Sequence, residues 1–323
     1  MLSRTADHLY WMARYIERAE NIARVLDVTN HMSLMPSAFH NETEKWRPAV
    51  LIADTATAFE DNYGGYTAAN VIRFLALDER NPSSIISALS RARENARAVR
   101  AAMSTEMWEN INALWIEFHG IASESSVASE SSVLDKPEEF CDWVKSRSHL
   151  FRGVTYGTML RDDGFNFVRL GTFMERADNT ARLLDVKYHL LLPSAADVGG
   201  AVDYYEWSAI LRSVSALVSY QKIFSDTIES WRVAELLVLR HDMPRSLHAC
   251  LDEVTPILEQ LCSSRGWECL RLAGELHASL HYGRMENIFQ QGLHEFLQEF
   301  IERNYALGSE IQNTFLDVPA STP

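Results

Sequence analysis

The sequence has few residues that end or cross-link secondary structure. It contains nine prolines and fourteen glycines in 323 residues, which favours long regular elements over many turns. Its four cysteines form no CxxC pair, and their spacing suits neither a zinc site nor a disulfide framework. We therefore expect reduced thiols in a cytoplasmic protein, at Cys141, Cys250, Cys262 and Cys269.

Positive charge and long apolar segments are also scarce. The net charge is −14 and the pI is near 5.2, and an acidic surface repels phosphate backbones, so nucleic acid is not an expected partner. No apolar segment is long enough to span a membrane, so a membrane partner is not expected either. We expect no signal peptide, because Asp7, Arg14 and Glu17 interrupt the apolar run that such a peptide needs.

Motifs for nucleotides and for common hydrolases are missing. The chain has no GxGxxG fingerprint, no Walker A loop and no GxSxG elbow, and we expect no cofactor. Gly153 and Gly157 are spaced like phosphate-loop glycines but lack the lysine and the strand of such a loop. They indicate close helix packing or the start of a helix.

Helical periodicity covers most of the chain. From Leu9 to Leu26 the apolar residues recur at i, i+3, i+4 and i+7, which is typical of an amphipathic helix. Alternating β-branched residues, the pattern of a strand, are almost absent. The sequence therefore predicts an all-α protein that forms a single large helical bundle, with further helical stretches over residues 48–62, 66–78, 83–119, 137–150, 166–191, 204–240, 244–262, 266–281 and 285–316.

The chain repeats itself. Residues 12–28 (MARYIERAENIARVLDV) and 170–186 (LGTFMERADNTARLLDV) are identical at nine of 17 positions at an offset of 158. Residues 74–89 (FLALDERNPSSIISAL) parallel residues 236–251 (LLVLRHDMPRSLHACL) at an offset of 162. The period is too long for a solenoid repeat.

We infer from these echoes that the chain is one domain, residues 1–323, made of two tandem repeats. The repeats cover about 1–150 and about 160–316, and we expect them to pack around a pseudo-two-fold axis. A Ser-rich connector at 123–137 joins them.

Each copy of the repeated helix carries a polar stripe beside its apolar one. The simplest interpretation is a solvated face with weak Glu–Arg pairs. Arginine in both copies favours another interpretation, because its planar fork suits carboxylates and phosphates. We prefer a partly buried network where the two helices meet. It is either structural or a ligand site. The stripe consists of Glu17, Glu20, Asn21, Arg24, Asp27 and His31 in the first copy and Glu175, Asp178, Asn179, Arg182, Asp185 and His189 in the second, and Arg18 and Arg176 lie beside it. The candidate site residues are Glu17, Arg18, Asn21, Arg24, Glu175, Arg176, Asn179 and Arg182.

A further group of arginines lies in SRARENARAVR, residues 90–100. Arg93, Arg97 and Arg100 share one helical face, so they are a candidate anion site in an acidic protein. The alternative is that they pair with the many carboxylates of the chain.

No metal site is predicted. None of the eleven histidines follows a glutamate by three residues, as the ligands of di-iron helical bundles do. His277 and His281 form an HxxxH pair for which the sequence shows no carboxylate partner. Two other pairs follow an arginine that would oppose a divalent cation, namely Asp27 with His31 and Asp185 with His189.

The ERAENIAR and ERADNTAR copies resemble the bacterial alpha-E family, and the resemblance extends over essentially the whole chain. It is also carried by NPSSIISALSRARENARAVRAAMSTEMWENIN and by GFNFVRLGTFMERADNTARLLDV. The resemblance implies packed helices whose glutamate-bearing motifs fall on the eight candidate site residues, Glu17, Arg18, Asn21, Arg24, Glu175, Arg176, Asn179 and Arg182. It also implies partners, a circularly permuted ATP-grasp protein and often a transglutaminase-like peptidase. ATP-grasp enzymes activate a carboxylate as an acyl phosphate and pass it to an amine.

Three functions are compatible with these observations. The first is an accessory or substrate-presenting subunit of an ATP-grasp system for amide or peptide ligation or peptide modification. Its ligand would be a small peptide or an amino-acid-like molecule, with Arg24 and Arg182 binding a carboxylate and Glu17 and Glu175 an ammonium group. The second is an enzyme with Glu17 and Glu175 as general acid and base. The third is a purely structural interaction module.

Overall fold

The computed structural model describes residues 1–34, 42–124, 133–189, 200–225, 227–262 and 266–317. Within these ranges it has fifteen α-helices and no strand, so the predicted all-α class is confirmed. The helices are α1 (Ser3–Ser33), α2 (Glu42–Ile52), α3 (Ala56–Asn62), α4 (Ala68–Ile72), α5 (Ile85–Ala98), α6 (Thr105–Glu124), α7 (Pro137–Thr158), α8 (Asp163–His189), α9 (Ala201–Ser213), α10 (Leu217–Phe224), α11 (Ser230–Val238), α12 (Leu247–Leu261), α13 (Trp267–His281), α14 (Met285–Gln291) and α15 (Leu293–Ile311). Short π-helical turns follow α4 and α15, at Arg73–Leu77 and Gln312–Leu316.

The helices α1 and α8 form the centre of the bundle. α1 packs against α8, α5 and α7, and α8 also packs against α12 and α15. α1 is therefore buried on several sides at once, with Leu9 and Met12 in the apolar core and Glu17 and Glu20 equally inaccessible. Within the predicted polar stripe of α1, Glu17, Glu20, Asn21 and Arg24 are buried because neighbouring helices cover them.

α1 and α8 come very close together at Gly171. A Cβ atom at this position would lie 2.3 Å from the carbonyl oxygen of Tyr10, a distance that no side chain tolerates. The glycine thus permits the backbones to approach, and the polar residues one to two turns further along both helices come within reach of each other.

α5 and α12, which align at the offset of 162, begin in the same way. The hydroxyl of Ser84 accepts a hydrogen bond from the backbone N–H of Ser87, and Ser246 accepts one from Ala249. α5 then packs on α1, and α12 packs on α8. These correspondences are compatible with a duplicated chain, and the duplication itself stays a prediction.

Several predicted helices are divided in the structure. The stretch 48–62 breaks at Asp54, 204–240 breaks at Ser215 and Ser225, and 285–316 breaks at Gly292, all four with positive φ. The stretch 83–119 is two helices separated by a 3₁₀ turn, Arg100–Ala102. Apolar spacing alone cannot show such breaks, because one left-handed residue redirects the chain without altering the pattern on either side.

Two smaller expectations also have outcomes. Gly153 and Gly157 lie inside α7 with open space around them, so the predicted close packing or helix start is wrong. Most of the Ser-rich connector predicted at 123–137 falls on residues 125–132, outside the described residues.

No helix in the described ranges combines the length and the apolar character that crossing a membrane requires.

Candidate functional site

The Glu–Arg dipeptides of the two repeats bind each other reciprocally. Arg176 on α8 donates from Nε and Nη2 to the two carboxylate oxygens of Glu17 on α1, at 2.9 and 3.0 Å. Arg18 on α1 donates in the same way to Glu175 on α8, at 2.6 and 3.0 Å. Each is a two-point fork, the strongest geometry for such a pair. The dipeptides therefore clamp α1 to α8 from both sides.

The Glu17 end of this clamp extends into a larger network. Arg245, in the turn before α12, lies 3.0 Å from Glu17. It also donates to Glu20 and, at 3.2 Å, to the side-chain amide oxygen Oδ1 of Asn21. Arg152 on α7 donates to Glu17 at 3.0 Å and to Glu20. Side chains from three helices and one turn, on α1, α7, α8 and before α12, thus meet at the carboxylates of Glu17 and Glu20.

Arg24 belongs to the same network rather than to an open site. Its Nε donates to Glu20 at 2.8 Å, and its Nη1 donates to the Ser213 carbonyl and the Ser215 hydroxyl. Its Nη2 lies 3.3 Å from the ring of His149. Since all three guanidinium nitrogens have partners inside the protein, we no longer assign Arg24 to the carboxylate of a ligand.

The network holds more positive than negative charge. Arg24, Arg152, Arg176 and Arg245 surround Glu17 and Glu20. Burial tends to raise the pKa of Glu17, but Arg176 and Arg245 outweigh it and the pKa falls below its ordinary value. Burial, opposed by Glu17 and reinforced by Arg176, lowers the pKa of Arg245 to about 10.

Glu175 is equally committed to arginines. Burial alone would raise its pKa, but Arg18 and Arg14 lower it to about 2. Arg14 adds a bond of 2.8 Å to the fork that Arg18 makes. Both Glu17 and Glu175 are therefore ionised and saturated with donors. A general acid needs the opposite, a carboxyl group whose pKa is raised towards neutrality, so the geometry opposes this role.

An open cleft of about 200 Å³ adjoins the clamp on the Glu175 side, and we call it the α1–α8 cleft. It brings together five of the predicted site residues from both copies. Its polar lining consists of Arg18 and Asn21 from α1, Glu175, Asp178, Asn179 and Arg182 from α8, and Asp54 and Ser83 from the connecting turns.

Two amides in the cleft have unused hydrogen-bonding groups. Asn21 is 2% exposed, and its Nδ2 has no partner among the described residues. Its orientation is defined, because Arg245 donates to the other amide atom, Oδ1. Asn179, which lines the same cleft, is half-buried, and its side chain has no hydrogen bond to the residues that the structure describes. A buried donor without a partner is costly, so a ligand that satisfies it gains affinity.

Arg182 stands at the rim of the cleft. It donates to Asp178 at 2.8 Å and to Asp54 at 3.1 Å, and its side chain is 29% exposed. Unlike Arg24, its aligned counterpart, it remains accessible to solvent and can exchange the exposed Asp54 for another anion.

The predicted arginine cluster on α5 lies apart from the cleft. Arg93 and Arg97 both contact Glu94, at 3.3 and 2.7 Å, and Arg93 also donates to Asn112 on α6. Arg97 is 67% exposed. The alternative given for this cluster, pairing with nearby carboxylates, describes what the structure shows for these two residues.

Sequence reasoning missed Arg14, Arg152 and Arg245. Arg14 aligns with Thr172, and Arg152 lies outside the repeated segments, so the repeat singled out neither of them. Arg245 did leave a signal, because it falls within the second echo at the position where the first copy has Ser83. A large charged residue opposite a small polar one marks a place where the two halves differ.

Comparison with known proteins identifies the family of this architecture. The Alpha-E family, described as a predicted alpha-helical domain with a conserved ER motif, matches residues 1–316. Uncharacterised proteins of Mycobacterium bovis and Mycobacterium tuberculosis are 26% identical over 316 residues, which is 92% of this chain and 35% of theirs. The chain thus spans about a third of the length of the curated relatives that it matches. No solved structure matches it.

Proposed function

The chain belongs to the Alpha-E family, and we propose that it is a helical subunit that binds a small amino-acid-like ligand in the α1–α8 cleft. It would present the amine of that ligand, in the cytoplasm, to an ATP-grasp ligase. The observation that carries the proposal is the unsatisfied amide nitrogen of the buried Asn21, which lies beside the half-buried Asn179 in a charged cleft between α1 and α8.

The chemistry of the ligand can be inferred from Arg245. At the sequence offsets above, Glu20 corresponds to Asp178, Asn21 to Asn179, and Arg245 to Ser83. The Arg245 guanidinium donates to the carboxylate of Glu20 and to the side-chain amide oxygen of Asn21. The corresponding residues of the other half are Ser83, Asp178 and Asn179, and all three line the cleft. The cleft would therefore bind a cationic group of a ligand at the position that corresponds to the Arg245 guanidinium in the other half.

An amino-acid-like ligand satisfies both kinds of group. Its ammonium or guanidinium group would donate to Asp178 and to the Asn179 carbonyl oxygen. Its carboxylate would accept from Asn21 Nδ2 and pair with Arg182 at the rim. The cleft volume of about 200 Å³ lies below the roughly 300–1,000 Å³ of pockets for drug-sized ligands, which favours a single residue over a long peptide.

The two ion pairs Glu17–Arg176 and Glu175–Arg18, which we call the ER pairs, would support the cleft without taking part in the reaction. Glu17 and Glu175 have lowered pKa values and arginine partners at every oxygen. They hold the two walls of the cleft at a defined separation, as supporting residues do for binding sites in general. The same saturation favours a second candidate function, a purely structural interaction module, in which the cleft remains empty.

The ligase partner rests on the family resemblance. That resemblance implies an ATP-grasp protein and often a transglutaminase-like peptidase as partners, and the chain has no nucleotide motif of its own. The curated relatives extend well beyond the matched region, which is compatible with further domains that work together with the helical unit. An ATP-grasp ligase forms the acyl phosphate, and a bound amine held nearby would be its acceptor.

A binding experiment tests the cleft. The thermal unfolding of the protein is measured in the presence of each of the twenty amino acids. Putrescine serves as an amine without a carboxylate, and succinate as a carboxylate without an amine. The substitution Ser83→Arg places a guanidinium in the cleft, and Ser146→Arg, on the exposed face of α7, is the matched control. We expect at least one amine-bearing amino acid to raise the Tm of the wild type and of Ser146→Arg, but not that of Ser83→Arg.

A pull-down tests the partner. The tagged wild type and Ser83→Arg are each used to capture an ATP-grasp ligase from an extract of the native cells, and phosphate release from ATP is measured with the ligand found above. We expect both to retain the ligase and only the wild type to support turnover. If no amino acid binds and the ligase is still retained, the structural module is correct. If ligand binds equally well to Ser83→Arg, the cleft is not the site.

A further inference from the structure

Three histidines outside the central network meet between α12 and α13. They are His248 on α12 and His277 and His281 on α13, and one ring nitrogen of each lies within 4.8 Å of one from both others. His281 Nδ1 is 3.4 Å from His248 Nε2. With zinc–nitrogen bonds of about 2.0–2.1 Å, the nitrogens of a tetrahedral site are about 3.4 Å apart. This pair already has the spacing of two zinc ligands.

A hydrogen bond to the backbone also orients the imidazole of His248 so that it could bind a metal ion. His248 Nδ1 lies 2.8 Å from the carbonyl oxygen of Leu239. A carbonyl only accepts, so Nδ1 carries the proton and the lone pair of Nε2 faces the other two histidines. A backbone carbonyl in this position is the usual outer partner of a metal-bound histidine.

A carboxylate completes the group. Asp252, one turn after His248 on α12, has its Oδ1 2.7 Å from His277 Nε2 and 3.5 Å from His248 Nε2. The sequence showed the HxxxH pair without such a partner, because Asp252 lies 25 residues away along the chain. In the fold it is placed either to ligate a cation directly or to orient the ring of His277.

We propose that His248, His277 and His281 form a binding site for a divalent transition metal, with zinc as the preferred ion and Asp252 as its carboxylate partner. Imidazole nitrogens favour zinc over magnesium or calcium, which prefer oxygen ligands. His248 is buried and His281 is exposed. The ion can therefore enter from solvent on the His281 side while the buried histidine anchors it. The site joins α12 to α13 and is independent of the α1–α8 cleft.

Metal binding to the purified full-length chain tests the proposal. The protein is stripped with a chelator and titrated with zinc in a calorimeter, and then with cobalt, whose visible absorption bands report tetrahedral coordination. We expect one zinc per chain in the wild type and a visible band with cobalt. The variant His281→Ala changes an exposed side chain, so its folding is not in question, and it should bind zinc at least tenfold more weakly.

Two further variants sharpen the test. His31→Ala removes a half-exposed histidine on α1 that also lies near carboxylates, and it should bind zinc as the wild type does. Asp252→Asn keeps a hydrogen-bond acceptor but weakens a ligand, and a 10–100-fold loss of affinity is expected. Absence of zinc binding in the wild type, or equal affinity in His281→Ala and His31→Ala, overturns the proposal.

Discussion

Glu17 on α1 and Arg176 on α8 form a two-point ion pair, with bonds of 2.9 and 3.0 Å, although 159 residues separate them along the chain. Glu175 and Arg18 form the matching pair in the other direction. The dipeptide that marks the family is therefore used twice, once from each central helix, to hold the two helices together.

The Glu17 pair should be a major contributor to stability. Glu17 is 1% exposed, so the substitution Glu17→Gln leaves the buried charge of Arg176 without its carboxylate partner and leaves Arg245 with Glu20 alone. Breaking one partner of a buried pair costs about 3–5 kcal/mol. We expect a loss of that size in denaturant unfolding. Glu94→Gln, which removes an exposed partner of Arg97, is the control and should change stability by less than about 1 kcal/mol.

Stability should fall in acid in a way that Glu175 partly explains. Its pKa of about 2 lies below the ordinary 4.5, so its contribution is complete above about pH 5 and disappears as the pH falls towards 2. The difference corresponds to about 3 kcal/mol. We expect the unfolding free energy of Glu175→Gln to depend less on pH between 5 and 3 than that of the wild type. Parallel curves for the two proteins would contradict this assignment.

The close approach of α1 and α8 should depend on Gly171. A methyl group there would meet the Tyr10 carbonyl oxygen, so Gly171→Ala must move the helices apart and lengthen the ER pairs. We expect a destabilisation of about 1–3 kcal/mol. Gly153→Ala, in the open part of α7, is the matched control and should stabilise by about 0.5–1 kcal/mol because alanine favours helix. Thermal unfolding of both variants measures the contrast.

The thiols should differ strongly in reactivity. Burial raises the pKa of Cys250 to about 12 and that of Cys269 to about 11, and it also raises the pKa of Cys141. Cys262 is the only one of the four that is not fully buried. With a thiol reagent at pH 8, we expect Cys262 to react first in the folded protein and all four to react in guanidinium. Mass spectrometry identifies the labelled residue, and fast labelling of Cys250 would contradict the burial found here.

The sequence determined the class of fold and the residues of the clamp. Apolar spacing at 3–4 residues requires helices wherever it persists, because only a helix places those positions on one face. The repeated ERAENIAR and ERADNTAR segments selected Glu17, Arg18, Glu175 and Arg176, and the structure places all four in one network. The likeness of the segments also led to the expectation that the two repeats pack around a pseudo-two-fold axis, which stays a prediction.

Only the tertiary structure decided which residues share a site. Arg245 and Arg152 reach Glu17 and Glu20 from distant parts of the chain, and no local pattern predicts such contacts. Aligned residues also differ in their environments. Arg24 makes its hydrogen bonds inside the network, whereas Arg182 lies at the solvent-accessible rim of the cleft. Periodicity constrains a residue only relative to its own helix. Distances between helices depend on how all of them pack, and there a single difference, Arg245 against Ser83, separates a filled position from an open cleft.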